Sequence, residues 1–390
     1  MQGKKQLKVA VLIRRFVTTG GAERYAFEVT KRLAENHEVH VFAQHWSRNI
    51  PSTIRMHKIP FFFKKPSFLN QLTFSRWTNR GVDRSFDIIH SHERVTRFDV
   101  LTVHCPCYRG FMNENRGPWK NLGMQLSVAT SPRHLSYLWL EKQQFAYKKD
   151  RLFIAVSQNV KNDVQANYPL PDISFRLAYP GVDSSHFHNR GISEKRRQYR
   201  SALGLSSQHI AILFVGTEFK RKGLDALFRG YARLKHENTR LLVAGGGDTA
   251  PYRRLAARLD IRNRVTFLGL VQDMATLYAA ADLYVLPTLS DPCPMAPIEA
   301  MASGLATIMS RAEFCGSAEH IRNKEALILK DPTDDTEITH HLTMLMDEKT
   351  RRAVGERGRR LAETLSWEKT TAETLRAYYD VVSFKHFLYR

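Results

Sequence analysis

Acid is what this chain has little of. Its 390 residues carry 38 Asp and Glu against 59 Lys and Arg, a formal net charge of +21. A surface so unbalanced attracts polyanions: nucleic acid, anionic lipid or a phosphorylated glycan. Cysteine is scarce too, with four in all. Cys105 and Cys107 are separated by one residue while Cys293 and Cys315 stand alone, so neither a disulfide framework nor a metal-ligand spacing is present and reduced thiols are expected. No apolar run approaches the ~20 residues that span a bilayer. The apolar stretch at residues 9–13 is too short for the hydrophobic region of a signal peptide and reads as a buried first strand, which places the protein in the cytoplasm. Zinc-finger spacing, a basic zipper and an RNA-recognition signature are all missing, so nucleic acid is not the expected partner.

What is there is the composition of a soluble globular protein, 43% hydrophobic and 25% charged, long enough for two or three domains. Short β-rich runs alternate with helical patterns throughout, which predicts parallel sheets covered by helices on both faces. In the first half, strands are expected at residues 8–13, 38–43, 86–90, 100–104 and 153–157, with a helix over 22–36. The insertion at 108–150 should end in a helix whose Leu135, Leu138, Trp139 and Phe145 share one apolar face. After a polar, basic segment at 184–200 the pattern restarts, with five strands expected at 210–216, 240–245, 265–269, 283–287 and 306–310. The last helices are expected from about residue 335 onward.

The densest chemistry lies in Asp291-Pro-Cys-Pro-Met-Ala-Pro-Ile-Glu299, followed by Ala-Met-Ala-Ser-Gly304. Pro292 and Pro294 keep Asp291 out of a helix. Pro297 suits a first helical position and Gly304 a helix stop, which puts Glu299 in the first turn of a short helix. A helix start offers free N–H groups and partial positive charge, where phosphate binds. The two carboxylates could accept hydrogen bonds from the hydroxyls of a sugar nucleotide. The alternative is an ordinary strand–loop–helix connection with two solvated acids.

Other turns carry basic or glycine signals. Gly216 ends a strand, and Arg221 and Lys222 precede Gly223 where a helix should start, an arrangement suited to a pyrophosphate. Gly20 and Gly21 follow the first strand and open a helix, so their amides could also reach a diphosphate. The run Gly245-Gly-Gly247 fits a loose dinucleotide pattern, but the strand at 265–268 ends in Gly269-Leu270-Val271 and lacks the acid that ribose recognition requires. His90, His92 and His104 stand at strand ends, the place where ligands meet such sheets.

Taken in order, these segments resemble the retaining glycosyltransferases of family 4. The resemblance rests on the Asp291–Glu299 pair, the strand at 283–287, Lys220-Arg221-Lys222-Gly223, Gly20-Gly21, Tyr179-Pro-Gly-Val-Asp183, Gly316-Ser-Ala-Glu319 and Ser366-Trp-Glu368, and covers nearly the whole chain. The family usually has Glu where Asp291 stands. The Arg-Lys-Gly form is similar to that of lipopolysaccharide core glucosyltransferases. Those enzymes often carry Asp near the position of His104, where many family members have His.

The resemblance implies an α/β protein of the GT-B fold, with two Rossmann-like domains facing across a cleft. Residues 1–183 would bind the acceptor, completed by a C-terminal helix at 366–390; residues 184–365 would bind the nucleotide sugar. It implies catalytic roles for Asp291 and His104, and donor contacts from Gly20, Gly21, Gly216, Arg221, Lys222, Leu270, Met295, Ala296 and Glu299. No cofactor or metal is implied. The implied reaction moves a hexose, glucose from UDP-glucose, onto a lipid-linked cell-envelope glycan such as an inner-core lipopolysaccharide heptose. Another surface polysaccharide or glycolipid is the alternative acceptor. A non-catalytic polyanion-binding protein of the same fold is the alternative class. Basic residues lie among aromatics at 61–68, 107–151 and 384–390, a mixture that favours peripheral binding to the anionic inner face of the cytoplasmic membrane.

Overall fold

The structure, a computed structural model, describes residues 6–113, 130–188 and 193–388. The contacts divide the chain into two units, Met1–Pro180 with Trp367–Arg390, and Gly181–Ser366.

The first unit contains the strands β1 (Lys8–Leu12), β2 (Arg15–Phe16), β3 (Glu38–Ala43), β4 (His45–Trp46), β5 (Ile54–Lys58), β6 (Ile88–Ser91), β7 (Val100–Val103), β8 (Leu152–Ala155) and β9 (Phe175–Leu177). Seven form one sheet in the order β5-β3-β1-β6-β7-β8-β9, and β2 pairs with β4 alone. All of these pairings are parallel. β6, β7 and β8 are buried along their whole length, as expected for strands covered on both faces. The first helix, Gly21–Leu33, sinks Tyr25, Phe27, Val29 and Leu33 into this core. The chain order reverses direction between β1 and β6, which is where a doubly wound sheet opens a crevice at its strand C-termini.

The C-terminal helix, Trp367–Leu388, belongs to this unit and is tied to it along its length. Arg32 pairs with Glu368 at 2.8 Å, Arg176 with Asp380 at 2.7 Å, and Lys385 with Asp99 at 2.8 Å. His90 is fully buried between the Tyr378 hydroxyl and the Thr102 hydroxyl, each 2.7 Å away.

The second unit contains β10 (Ile210–Val215), β11 (Thr239–Ala244), β12 (Val265–Gly269), β13 (Leu283–Leu286), β14 (Ala306–Ser310) and β15 (Leu327–Leu329). They form a parallel sheet in the order β12-β11-β10-β13-β14-β15. Here the order reverses between β10 and β13.

Several elements differ from the sequence expectation. β5, β9 and β15 were not anticipated, because each is an edge strand of only three to five residues, too short for a periodic pattern to register. The helix Pro132–Gln144 does not bury the expected face: Leu135 and Trp139 are 49% and 52% exposed, whereas Leu140, Glu141 and Gln144 are buried. Glu141 holds this face inward by accepting hydrogen bonds from the amides of Tyr108 and Arg109 and from the Tyr168 hydroxyl. Three donors offset the cost of burying its carboxylate. Phe145, just past the helix, packs against Phe153 and Tyr168 in the core.

Candidate active site

At the reversal point of the second unit, the turn after β10 meets the loop after β13. Lys222 Nζ bonds the Asp291 carboxylate, and the Arg221 guanidinium lies 3.5 Å from the same oxygen. The Lys222 and Asp291 side chains are only 13% and 9% exposed, so this contact is shielded from water. Arg221 also donates to Glu218 at 2.6 Å and to the Ser290 carbonyl. The backbone locks the two loops together, since Leu289 N donates to Arg221 O at 2.8 Å. Gly223 has φ of +78°, and a Cβ there would lie 1.8 Å from the Pro287 carbonyl. Only glycine permits the turn to approach so closely, and the helix Leu224–Arg233 starts immediately after it.

Gly216 lies beneath the Lys222 side chain; a Cβ at Gly216 would meet Lys222 Cγ at 3.0 Å. The glycine run after β11 has a packing role of its own. Gly245 has φ of +138°, and a Cβ on it would collide with the Gly216 carbonyl at 1.7 Å. Close approach of two strand ends therefore accounts for that glycine without a dinucleotide. Leu270, following β12, packs near Gly246 and is otherwise 78% exposed, an apolar side chain left open at a strand end.

The Asp291–Glu299 segment corrects the sequence reading in one respect. The helix runs Met295–Ala302, so it starts two residues before Pro297, and Glu299 is its fifth residue rather than part of its first turn. Pro294 is the residue before the helix, and Pro297 sits where its missing N–H has no intrahelical partner to lose. Met295 and Ala296 thus supply the leading amides. The helix ends as expected: Gly304 adopts φ of +79°, with its amide on the Met301 carbonyl at 2.8 Å. Glu299 is buried, and one of its oxygens accepts from the Tyr278 hydroxyl at 3.0 Å. Asp291 is further fixed by an isolated bridge to Cys315.

In the first unit, Gly20 precedes the helix Gly21–Leu33 with φ of +93°, and both glycines are exposed at that helix start. His104 follows β7 and shares a 2.9 Å hydrogen bond between its Nε2 and His92 Nδ1, with the Tyr25 ring edge-on at 5.1 Å. Burial pushes the His104 imidazole down to about 3, and His90 likewise to about 3. His92 is lowered in the same direction, first by burial and then by its two histidine neighbours. The cluster is therefore neutral at physiological pH. His90 is committed to Tyr378 and Thr102, whereas His92 and His104 line a cavity of about 290 Å³ at the C-terminal ends of β1, β6 and β7. Arg14, Glu23, Arg94 and Cys105 share its wall.

Sequence reasoning missed Tyr278, Glu218 and Arg94. Tyr278 lies on a separate helix, Met274–Ala280, with no motif around it. Arg94 lies in the loop after β6, only two residues beyond His92. Its basic side chain beside that strand end was the available signal.

The two units match two families. Residues 19–186 match Glycosyltransferase Family 4, and residues 195–361 match Glycosyl transferases group 1. Lipopolysaccharide glucosyltransferase WaaG of Escherichia coli is 23% identical over 362 residues, covering 91% of this chain and 94% of its own. D-inositol 3-phosphate glycosyltransferase of Salinispora tropica is 27% identical over 408 residues, covering 93% and 82% respectively. Among solved structures, WaaG superposes with a TM-score of 0.81 at 22% identity over 94% of this chain and 98% of that one. Anabaena HepE in complex with UDP-glucose gives 0.70 at 15% identity over 95% and 100%. With a family 4 half followed by a group 1 half, each built on a parallel Rossmann-like sheet, the chain belongs to the GT-B glycosyltransferases.

Proposed function

We propose that the chain is a retaining hexosyltransferase that moves glucose from UDP-glucose onto a lipid-linked cell-envelope glycan, with a lipopolysaccharide inner-core heptose as the acceptor. The observation that carries this reading is the convergence of Arg221 and Lys222 on Asp291 at the reversal point of the second unit. Two cations and a helix start beside one another form an electrostatic cradle for a diphosphate leaving group. Similar proteins agree with it: one is a lipopolysaccharide glucosyltransferase, and HepE is known in complex with UDP-glucose.

In this reading Arg221, Lys222 and the amides of Met295 and Ala296 hold the diphosphate, and Glu299 accepts hydrogen bonds from the ribose. Gly216 lets the donor approach the backbone, and Leu270 with its flanking backbone receives the base. Gly20 and Gly21 contribute amides from the first unit. Asp291 and neutral His104 hold the donor sugar. No side chain is assigned as a covalent nucleophile, so the reaction follows a front-face course. The bond from the anomeric carbon to the diphosphate breaks, and a bond to the acceptor hydroxyl oxygen forms on the same face. The hydroxyl proton passes to the departing diphosphate oxygen.

Exposed aromatics beside lysines support peripheral attachment to an anionic membrane on the cytoplasmic side. No helix among the described residues is long and apolar enough to cross a membrane. The test of the donor is a thermal-shift panel of nucleotide sugars followed by a hydrolysis assay. A ligand at 100 times its Kd should add about 2.7 kcal/mol of stability. UDP-glucose is expected to give the largest shift and to release UDP. If no nucleotide sugar shifts the melt, the enzymatic reading fails, and the net charge of +21 favours the polyanion-binding protein instead.

A further inference from the structure

The cavity at the reversal point of the first sheet holds three carboxylates and two guanidinium groups, and their pairing is uneven. Glu93 is satisfied by Arg14, through the Arg14 amide at 3.2 Å and Nε at 2.9 Å. Glu141 is satisfied by the Tyr108 and Arg109 amides and the Tyr168 hydroxyl. Arg94 is not matched in this way. Among the described residues no carboxylate lies within ion-pair distance of its guanidinium, which lies over the Tyr137 ring at 5.3 Å. The backbone holding it is fixed, since Gln71 donates to the Arg94 carbonyl at 2.7 Å. Glu141 and Glu93 favour its charge from a distance, but among the described residues none accepts a hydrogen bond from its N–H groups. A partly buried guanidinium with its N–H groups unmet is costly, and its planar fork matches an oxyanion in two parallel bonds.

One further group in the same cavity lacks a partner. His92 is buried, and its Nε2 meets no hydrogen-bonding atom among the described residues. Either neutral ring can donate in the bond between His92 Nδ1 and His104 Nε2, so His92 Nε2 accepts when His92 Nδ1 carries the proton and donates when His104 Nε2 does. Glu23, from the first helix, also faces the cavity. A carboxylate and an ambivalent imidazole are suited to hydroxyl groups. At about 290 Å³ the cavity lies at the lower end of small-molecule sites, which span ~300–1,000 Å³.

We infer that this cavity is a subsite for a sugar-sized polyol bearing one oxyanion, phosphate or carboxylate, with Arg94 gripping the anion and His92 and Glu23 receiving hydroxyls. The inference rests on the reading that the first unit receives the acceptor. It adds that the acceptor residue, or its immediate neighbour in the glycan, is acidic.

The test uses full-length protein carrying Arg221→Ala and Lys222→Ala, so that the cations of the second unit cannot capture the probe. Glucose, glucose 6-phosphate and glucuronate are titrated by calorimetry. At least one acidic sugar should bind tenfold or more tightly than glucose, and which one does so distinguishes phosphate from carboxylate. Adding Arg94→Gln should abolish that preference, while Arg94→Lys should retain part of it. Equal binding of all three sugars, or a preference that survives Arg94→Gln, would overturn the subsite. Should Arg94→Gln fail to fold, the Arg94 Nε–H resonance of the otherwise unaltered protein decides: it should shift with the acidic sugar and not with glucose. A resonance unmoved by every sugar also overturns the proposal. UDP binding to the wild type, measured alongside, reports on the donor reading separately.

Discussion

Lys222 Nζ is hydrogen bonded to the carboxylate of Asp291, 69 positions further along the chain. The contact joins the turn after β10 to the loop after β13, and both side chains are nearly closed to solvent. Removing only the lysine leaves a buried carboxylate facing Arg221 at 3.5 Å. Lys222→Ala should therefore cost about 1–3 kcal/mol of stability, measured by denaturant unfolding. The double replacement of Arg221 and Lys222 by Ala should also weaken binding of the nucleoside diphosphate, each lost charge-assisted bond being worth roughly 1.5–3 kcal/mol. Unchanged affinity in titration calorimetry would reject the diphosphate role.

Asp291 is one methylene shorter than the Glu usual at this position in the family it resembles. In the structure its reach is spent on Lys222, so Asp291→Ala should abolish sugar transfer, while Asp291→Glu should retain nucleotide binding and alter kcat. Wild-type kinetics from both variants would remove Asp291 from the donor-sugar site.

Glu299 is held by Tyr278 at 3.0 Å, which fixes one carboxylate oxygen. Glu299→Gln should raise the Kd for the nucleotide while the melting temperature stays within a few degrees. Tyr278→Phe should produce a smaller rise, about 1 kcal/mol or less, because it loosens the carboxylate without deleting it. If Glu299→Gln unfolds the protein and the folded remainder binds normally, the residue is structural.

Much of this architecture was legible in the sequence because the parallel strands of both units are apolar on both faces and separated by helical periods. Ala306–Ser310 is an example, buried throughout and matching its expected range in full. What escaped had physical causes. β5 reads Ile-Arg-Met-His-Lys, an edge strand whose outer side faces water. The start of the helix at Met295 was misplaced because Pro297 suits any of the first helical positions that lack an intrahelical N–H bond, not the first alone. The face of the helix Pro132–Gln144 was inverted because apolar spacing outweighed Glu141, whose three donors come from residues 108, 109 and 168. Motifs located Arg221, Lys222 and Asp291, but only the folded sheet shows that they meet.

Acid should loosen the first unit through His90. Its ordinary value of 6.5 applies in the unfolded chain, and burial lowers it to about 3 in the folded one. Between those limits the unfolded state binds a proton that the folded state refuses. Stability from this group is complete above about pH 6.5 and falls as the pH drops, with a slope approaching ~1.4 kcal/mol per pH unit. Denaturant unfolding at pH 8, 7, 6 and 5 should show the decline. His90→Gln, which can still meet Tyr378 or Thr102, should make it shallower by about one proton. Parallel curves for the two proteins would exclude His90 as the source.

Membrane attachment should run through one face of the first unit. Phe61, Phe62 and Phe63 are 51%, 58% and 40% exposed, and Lys64 and Lys65 follow them. Ser67, at the start of the next helix, lies 3.5 Å from Tyr137, so this loop neighbours the helix Pro132–Gln144 with its exposed Leu135 and Trp139. Arg133, Lys142, Lys148 and Lys149 are exposed on or just beyond that helix, as is Tyr147. Part of the sequence expectation does not fit this face: Phe145 is in the core, Lys385 is paired with Asp99, and Trp119 lies outside the described residues. Each remaining cation near an anionic surface contributes on the order of 1 kcal/mol, declining with salt. Vesicle co-sedimentation should therefore require anionic lipid and fade as salt is added. Replacing Phe61, Phe62 and Phe63 with Ser should weaken the salt-resistant part, since burial of an aromatic side chain is worth roughly 1.5–3 kcal/mol. Replacing Lys64, Lys65, Lys148 and Lys149 with Gln should weaken the salt-sensitive part. Equal binding to neutral and anionic vesicles, or binding unaffected by both sets of changes, would show that this face is not the anchor.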